Sequence, residues 1–573
     1  MKVSNQLISK IFREIALYLS MEGVPFKPQA YEKAANVIDG LEEEAGEIYA
    51  KGGAKALEDI PEVGVSMAEK IEELIKTGKI KYYEDLKKKY PINLDELGVI
   101  EGLGPKSILK LYQKLGIKNL KDLERAAKGG KIRELENFGA KSEENILKGI
   151  AFAKKESGRF VLGFIMPEIR AIVSRLKELK EVEKIEVAGS TRRMKETVGD
   201  VDILIISKKS KPVMDYFVSM SEVDRILAEG ETKSSVQLQN GLNADLRVVP
   251  VESYGSALAY FTGSKEHNIA LREIAIKKGL KLNEYGLWRG EKRIAGKTEE
   301  EIYKALGLEY VEPEMRENNG EIKSAKKRQL PKLIGYSDLQ GDLQVQSNWS
   351  DGEASIEEMA KAAISRGLKY IAITDHTHSL AMIHGLDDKT IQKQWAEIDK
   401  IQAKLGNQIK ILKGTECDIL KDGSLDLSDK TLSKLDVVGV SVHSHFNLSR
   451  QEQTERIKKA MRNKNVDIIF HPTSRVIKKR DPYDVDVEEL LMEAAKTKTV
   501  MEIDAFPDRL DLKDEYIRKG IALGVKFSID SDSHAPTHFD FLEYGIAQAR
   551  RGWAGKSDII NAWPMDKMLK FLK

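Results

Sequence analysis

Gly189-Ser190-Thr191-Arg192-Arg193, then Gly199-Asp200-Val201-Asp202 and the apolar run Ile203 to Ile206, is the stretch whose reading decides the fold. Read as strand-like, it turns Asp200 and Asp202 to one face and Val201 and Ile203 to the other, because successive side chains alternate. Two carboxylates aimed at one point are costly unless a cation neutralises them, and such a pair, with room for water and phosphate oxygens, suits Mg²⁺. A third carboxylate, Asp245, follows in a second strand-like run, Asn243 to Val249. Three convergent aspartates can clamp two metal ions around an in-line phosphoryl transfer. The Gly-Ser turn upstream offers backbone N–H groups at the close approach a triphosphate needs. A lone Asp-x-Asp is usually a surface hairpin with solvated acids; the apolar flanks, the Gly-Ser-x-Arg-Arg prelude and the distant Asp245 speak against that here.

These residues resemble the nucleotidyltransferase palm of the family X DNA polymerases, the group that includes DNA polymerase beta. The resemblance continues through Tyr260-Phe261-Thr262-Gly263-Ser264, Asn268, Arg272 and Asn283-Glu284-Tyr285-Gly286, in the family's order over about a hundred residues. It implies that Gly189, Ser190 and Arg193 hold the triphosphate and that Tyr260, Phe261 and Gly263 line the sugar of the incoming nucleotide. It also implies a minor-groove contact from Asn268 and a template contact from Arg272. Asp200 and Asp202 would then bind both metals, and Asp245 the catalytic one.

A chain of 573 residues is too long for one core and suggests several domains. Its net charge is only +2 although 32% of residues are charged, so whole-chain charge neither demands nor excludes nucleic acid. One cysteine, Cys417, rules out a disulfide framework and fits a reducing compartment. The amino terminus lacks the apolar core of a signal peptide and no run reaches the length of a membrane span, so a soluble cytoplasmic protein is expected. Of nine histidines only His267 precedes residue 376. The other eight, His376, His378, His384, His443, His445, His471, His534 and His538, mark a second chemistry in the last third.

Residues 1–85 read as short amphipathic helices such as Val3 to Ser20 and Lys27 to Asp39. Three apolar-turn-glycine patterns, Ile60 to Ile71, Val99 to Ser107 and Leu135 to Ser142, each open a new helix, the arrangement of a helix-hairpin-helix. Such turns offer unpaired N–H groups to DNA phosphates without reading bases. Gly64-Val65-Ser66 lacks a second glycine, which predicts weaker phosphate binding by the first hairpin. By the family resemblance, Lys70 matches a lysine that attacks an abasic sugar and Tyr31 a residue of the same pocket; a solvated helix lysine is the plain alternative.

From about residue 313 to 335 few apolar residues and no period remain, and Lys326-Lys327-Arg328 supplies a basic run, which reads as a solvated linker. Beyond it, apolar runs alternate with helices such as Ile356 to Ser365, Asp484 to Ala495 and Asp514 to Leu523, which predicts parallel strands with crossover helices. The runs end in Asp375-His376, Glu416, His443, His471, Asp504 and Asp530-Ser531-Asp532-Ser533-His534. Ligands at successive strand ends converge on one face of a barrel, which suggests a multinuclear site for Zn²⁺, Mn²⁺ or Fe.

This half resembles the polymerase and histidinol phosphatase (PHP) domain, a distorted seven-stranded β/α barrel with up to three metals. The family's ligand positions map onto Asp351, His376, Glu416, His443, His471, Asp532 and His534, and its relatives remove nucleotides from 3′ ends or process blocked ends and abasic sites. Where the family has His-x-His, this chain has Gln344 and Gln346, and an amide oxygen is a weak ligand for a site built for imidazole. Fewer than three ions are therefore expected. His445 is the first candidate to replace a lost ligand, with loop or supporting roles for His378, His384 and His538; Arg475 and Arg509 are candidates to hold substrate phosphate.

The chain is thus expected to be a multidomain α/β protein: a helical DNA-binding, lyase-like domain (1–85), a helix-hairpin-helix domain (86–150), an α+β palm (151–250), a nucleotide-selecting subdomain (251–315), a linker (316–335) and a PHP barrel (336–573). The expected activity is template-dependent filling of short gaps in DNA repair from dNTPs with Mg²⁺ or Mn²⁺, on gapped or nicked DNA, by a monomer. The barrel is either a 3′-5′ nuclease or a scaffold that has lost its chemistry. A DNA-end sensor without polymerase activity is a further alternative that the intact aspartate triad opposes.

Overall fold

Apolar residues recurring every three to four positions give the first 155 residues nine helices and no strand among the described residues. The computed structural model describes residues 5–39, 41, 44–98, 100, 103–155, 158–379 and 385–572. It divides into one unit of Met1–Ser157 with Lys478–Arg480 and another of Gly158–Ile477 with Asp481–Lys573.

In the first unit, helices Asn5–Met21 and Lys27–Asp39 share a core through Ile8, Phe12, Ile15, Ala34, Ala35 and Ile38. The three hairpins repeat one turn. Val63 N–H donates to Ile60 C=O, Leu103 to Ile100 and Phe138 to Leu135, and a glycine follows each time before the next helix. Those helices are Val65–Thr77, Pro105–Leu115 and Ala140–Lys155, and extended Gly64 and Gly104 cap the first two. Val99, Glu101 and Gly102 of the second hairpin lie outside the described residues, as does His384.

The second unit opens with a five-stranded mixed sheet of β1 (Val182–Val187), β2 (Asp200–Ser207), β3 (Val223–Glu229), β4 (Lys233–Leu238) and β5 (Asn243–Val248), in the order β1-β2-β5-β4-β3. β2 and β5 run parallel with Asp202 opposite Asp245. Gly189–Arg192, expected to be strand-like, is instead one turn of helix, because Gly189 at φ 66° reverses the chain out of β1.

Seven parallel strands follow in sequence order: β6 (Gly341–Val345), β7 (Tyr370–Ile373), β8 (Lys410–Asp418), β9 (Val437–Ser441), β10 (Ile468–Ile469), β11 (Val500–Asp504) and β12 (Phe527–Asp530). A bridge from Val345 to Ser533, with Gln346 N–H donating to Ser533 C=O at 2.8 Å, brings the first strand to the last. Ser355 and Ser449 open two of the outer helices with full capping boxes, each worth about 1 kcal/mol. Leu510 and Tyr544 of the barrel belong to the hydrophobic core of the mixed sheet, so the two are packed as one body.

The segment read as a solvated linker is packed. Arg316 is fully buried, Glu321–Lys327 is a helix, and Glu321 accepts from His267 Nδ1 at 2.6 Å while His267 Nε2 meets Tyr303 Oη at 2.8 Å. Composition misleads at Arg316 and Glu321, which are buried against polar partners, while the basic run Lys326-Lys327-Arg328 is exposed.

Candidate functional site

The parallel pairing of β2 and β5 sets Asp202 beside Asp245, with Asp200 at the exposed start of β2. Burial, and then the charges of Asp200 and Asp245, push the Asp202 carboxyl up to about 6. Burial would also raise Asp245, but Ser235, Lys233 and Arg247 outweigh it and hold it below the usual carboxylate range. Lys233 Nζ lies 2.9 Å and Arg247 Nη2 3.4 Å from Asp245 Oδ2. A Cβ at Gly189 would stand 2.9 Å from Asp202 Oδ2, so only glycine brings the Ser190 turn this close to the acids. A trio of carboxylates under a glycine turn, with buried Asp202 raised by its neighbours, is a fitting donor set for divalent ions.

Of the remaining expected nucleotide residues, Phe261 is tied to this point through Arg247, which meets both Asp245 and the Phe261 ring. Arg193 donates to the carbonyl of Thr262 and pairs with Glu317 at 3.0 Å, and a Cβ at Gly263 would meet its Nη1 at 3.1 Å. Tyr260 is exposed and packs edge-on against Phe261, over which Arg247 lies at 4.5 Å. Asn268 Nδ2 donates to Tyr260 C=O at 2.7 Å, and Arg272 lies one turn further along the helix Lys265–Lys277. Arg192 is absorbed structurally, pairing with Glu299, which also takes buried Arg316. Burial would raise Glu299, but Arg316 and Arg192 hold it at about 2.

In the first unit, Lys70 Nζ bonds Ser66 O and Oγ, both at 2.9 Å, and lies over the Tyr82 ring at 5.2 Å. Burial lowers its pKa against the opposing charges of Glu69 and Glu73, with Lys27 adding a smaller push in the same direction as burial. Tyr31 is buried edge-on to Phe12, and burial with the neighbouring Tyr82 raises it to about 12.

At the carboxyl ends of the barrel strands, Glu416 in β8 is fully buried and surrounded by donors. His471 Nε2 lies 2.8 Å and His443 Nε2 3.1 Å from its Oε1, while the Gln344 and Gln346 amides donate to its Oε2 at 3.0 and 2.8 Å. Burial would raise this acid; His376 and His471, with those hydrogen bonds, hold it well below its ordinary value. Two groups, Asp351–His376–His534 and His376–Glu416–His443, bring three ligand atoms within 4.8 Å of one another among the described residues. His443 Nδ1 is held by Asp418 Oδ1 at 3.0 Å and His534 Nδ1 by Asp532 C=O at 2.8 Å, which turns each Nε2 inward as metal-ligating imidazoles require. His376 Nδ1 is buried without a hydrogen-bond partner. These two groups fit metal ions.

The position of the missing His-x-His pair does not. Of its carboxylate Glu416, Oε2 is taken by two amide N–H donors, and Arg509 Nε stands 3.5 Å from both Asp532 Oδ2 and Asp504 Oδ2. Arg509 is therefore engaged by the cluster's own acids, and Arg475 pairs with Glu196 next to the palm loop. His445 is exposed, and His538 stacks on Phe541 while its Nδ1 accepts from the His534 N–H at 3.3 Å. Asp418 went unread in the sequence, although it follows Glu416 at the two-residue spacing of one strand face.

Four family models match the chain: a helix-hairpin-helix domain over residues 3–80, a tandem helix-hairpin-helix over 94–151, the DNA polymerase beta thumb over 257–317 and the PHP domain over 342–504. Over 572 residues, 99% of each chain, it is 36% identical to the DNA polymerase/3′-5′ exonuclease PolX of Bacillus subtilis (strain 168). The chain belongs to the family X DNA polymerases. It is similar over part of its length to DNA polymerase lambda of Rattus norvegicus (26% over 344 residues, 55% of this chain and 56% of the relative). The same holds for DNA polymerase lambda of Arabidopsis thaliana (25% over 350 residues, 54% and 62%). A family X polymerase with a PHP domain implies divalent ions, DNA and nucleotides. No helix among the described residues is long and apolar enough to cross a membrane.

Proposed function

We propose that the mixed-sheet site fills short gaps in DNA by two-metal nucleotidyl transfer, with Asp200, Asp202 and Asp245 as the acids. The observation that carries this is the cross-strand pair Asp202–Asp245 beneath the Gly189 turn. Mg²⁺ or Mn²⁺ bound there would neutralise the trio and the triphosphate and acidify the primer 3′-hydroxyl. Asp245, kept ionised by Lys233 and Ser235, accepts the hydroxyl proton. Ser190, Arg193 and the Gly189 turn orient the triphosphate, Tyr260, Phe261 and Gly263 bound the sugar, and Asn268 and Arg272 face the nascent pair. The names of the lambda relatives and of the full-length relative agree with polymerase activity. A single-nucleotide-gap assay tests it: Asp200→Ala abolishes addition while gapped-DNA binding persists, and retained synthesis overturns the assignment.

The barrel, on this reading, is a 3′-5′ exonuclease or 3′-end-processing centre built on the groups Asp351–His376–His534 and His376–Glu416–His443, taking Zn²⁺, Mn²⁺ or Fe, with His471 and Asp532 supporting them. A scaffold reading is favoured by the Gln344, Gln346 and Arg509 substitute for the third ion. Loss of nucleotides from a labelled primer, with the palm disabled and His443→Ala as control, separates the two. Lys70, with its lowered pKa, is assigned to attack on an abasic sugar, tested by borohydride trapping of a DNA adduct that Lys70→Ala abolishes. The working form is a cytoplasmic monomer.

A further inference from the structure

The stretch from Gly189 to Glu196 carries Ser190 and Arg193, yet residues of the barrel hold it in place. Arg475 Nη1 and Nη2 grip Glu196 at 3.1 and 2.6 Å, and Gln548 Nε2 donates to Glu196 Oε1 at 2.8 Å. Three residues after Gln548, on the same face of the helix Leu542–Arg551, Arg551 donates from Nη1 to the carbonyl of Arg193 at 3.0 Å. That same nitrogen lies 3.2 Å from Glu317 Oε1, the oxygen that Arg193 Nε holds at 3.0 Å, while Arg551 Nη2 is anchored on Asp514 at 2.6 Å. Lys195 Nζ adds a third cation, 3.7 Å from Glu317.

Arg551 is almost wholly buried, its side chain only 3% exposed, and its planar fork satisfies three acceptors at once, which a lysine cannot reproduce. Its place in the network has two effects on Arg193. It fixes the Arg193 backbone, and it shares the charge of Glu317, so that Glu317 holds Arg193 less exclusively. An incoming triphosphate must draw the Arg193 guanidinium from Glu317, and both effects favour that exchange.

We infer that Arg551, a residue of the barrel, is a positioning residue for nucleotide binding in the palm, acting through Arg193 and Glu317. The barrel is thereby part of the polymerase site whatever its own chemistry. The inference rests on the reading of Arg193 as a triphosphate ligand.

The test measures dNTP affinity of the full-length protein on gapped DNA with a dideoxy-terminated primer, for wild type, Arg193→Ala, Arg551→Met and the double variant. Arg551→Met is expected to weaken dNTP binding about tenfold, the scale of one charge-assisted hydrogen bond, while kcat at saturating dNTP, read separately on an extendable primer, changes little. In the Arg193→Ala background it should add nothing, because it acts through Arg193. Arg551→Lys should recover part of the affinity, and Arg462→Ala on the barrel's outer surface should match wild type. If Arg193→Ala binds dNTP normally, the underlying reading of the triphosphate site fails. If Arg193→Ala weakens binding but Arg551→Met does not, or weakens it equally in both backgrounds, the positioning role fails. Should Arg551→Met melt below the assay temperature, Arg551→Lys carries the same cycle, with equal affinities in wild type and Arg551→Lys counting against the role.

Discussion

Two clusters of acids lie in the same packed body and are satisfied in opposite ways. The palm trio is open: Asp200 is exposed, Asp202 is pushed up to about 6 by burial and its neighbours, and Asp245 leans on Lys233. The barrel cluster is closed: Glu416 has no exposed surface and five side-chain partners, and Arg509 stands between Asp504 and Asp532. An open, mutually repelling cluster stores a demand for cations, whereas a closed one has met part of that demand with its own N–H groups. Sequence similarity to one family covers both, but their physical states differ.

The largest expected effect breaks the comparison at the palm. Asp202→Ala should lower gap filling by roughly 10³-fold, the scale of removing a charge at a reacting centre, with gapped-DNA binding intact. Gap-filling rates near wild type would mean that the acids are not the reacting site.

Next in size is Glu416→Gln. It leaves His443 and His471 without their buried carboxylate and should destabilise the metal-free protein by about 3 kcal/mol in urea melts at neutral pH. A neutral result would mean the barrel cluster is no more self-satisfied than the palm.

Asp202→Asn should act in the opposite direction. A carboxyl raised from 3.8 to about 6 costs stability once ionised, so the cost is full above pH 6 and absent below pH 4. The asparagine variant should therefore be more stable than wild type by about 2 kcal/mol at pH 8 without metal, and the two should melt alike at pH 3.5. A difference that does not shrink on acidification would place the strain elsewhere.

Smallest is the change in ion uptake. With the palm disabled, the barrel should bind two Mn²⁺ per chain by elemental analysis, and Gln344→His with Gln346→His and Arg509→Met should add one. Three ions in the unaltered barrel would show that the amides ligate metal after all.

Much of this contrast was written in short-range pattern. Asp200 and Asp202 alternate on one strand, and the histidines and acids of the barrel sit at the ends of apolar runs, so period and punctuation reveal them. What sequence did not disclose depends on partners far along the chain. The convergence of Asp245 on Asp202 is expected from the two strand-like runs, whereas the anchoring of Arg475 depends on Glu196, 279 positions away. The 316–335 segment read as solvent-exposed because it has few apolar residues and no period, although Glu299 and the Tyr303 and Tyr310 rings make the burial of Arg316 favourable. Gly189 to Arg192 read as strand because a single helical turn leaves no periodic signal.

The packed 316–335 segment also bears on how the protein is divided at the bench. A fragment beginning at residue 336 would separate Arg475, Arg550 and Arg551 from Glu196, Glu314 and Glu317, and would open Leu510 and Tyr544 to water. Such a fragment would carry two nearly buried guanidinium groups, those of Arg475 and Arg550, stripped of carboxylates, and a third, Arg551, left with Asp514 alone, over a bared apolar patch, a surface made for aggregation. A cleaner excision removes residues 1–157 and leaves the palm and barrel joined.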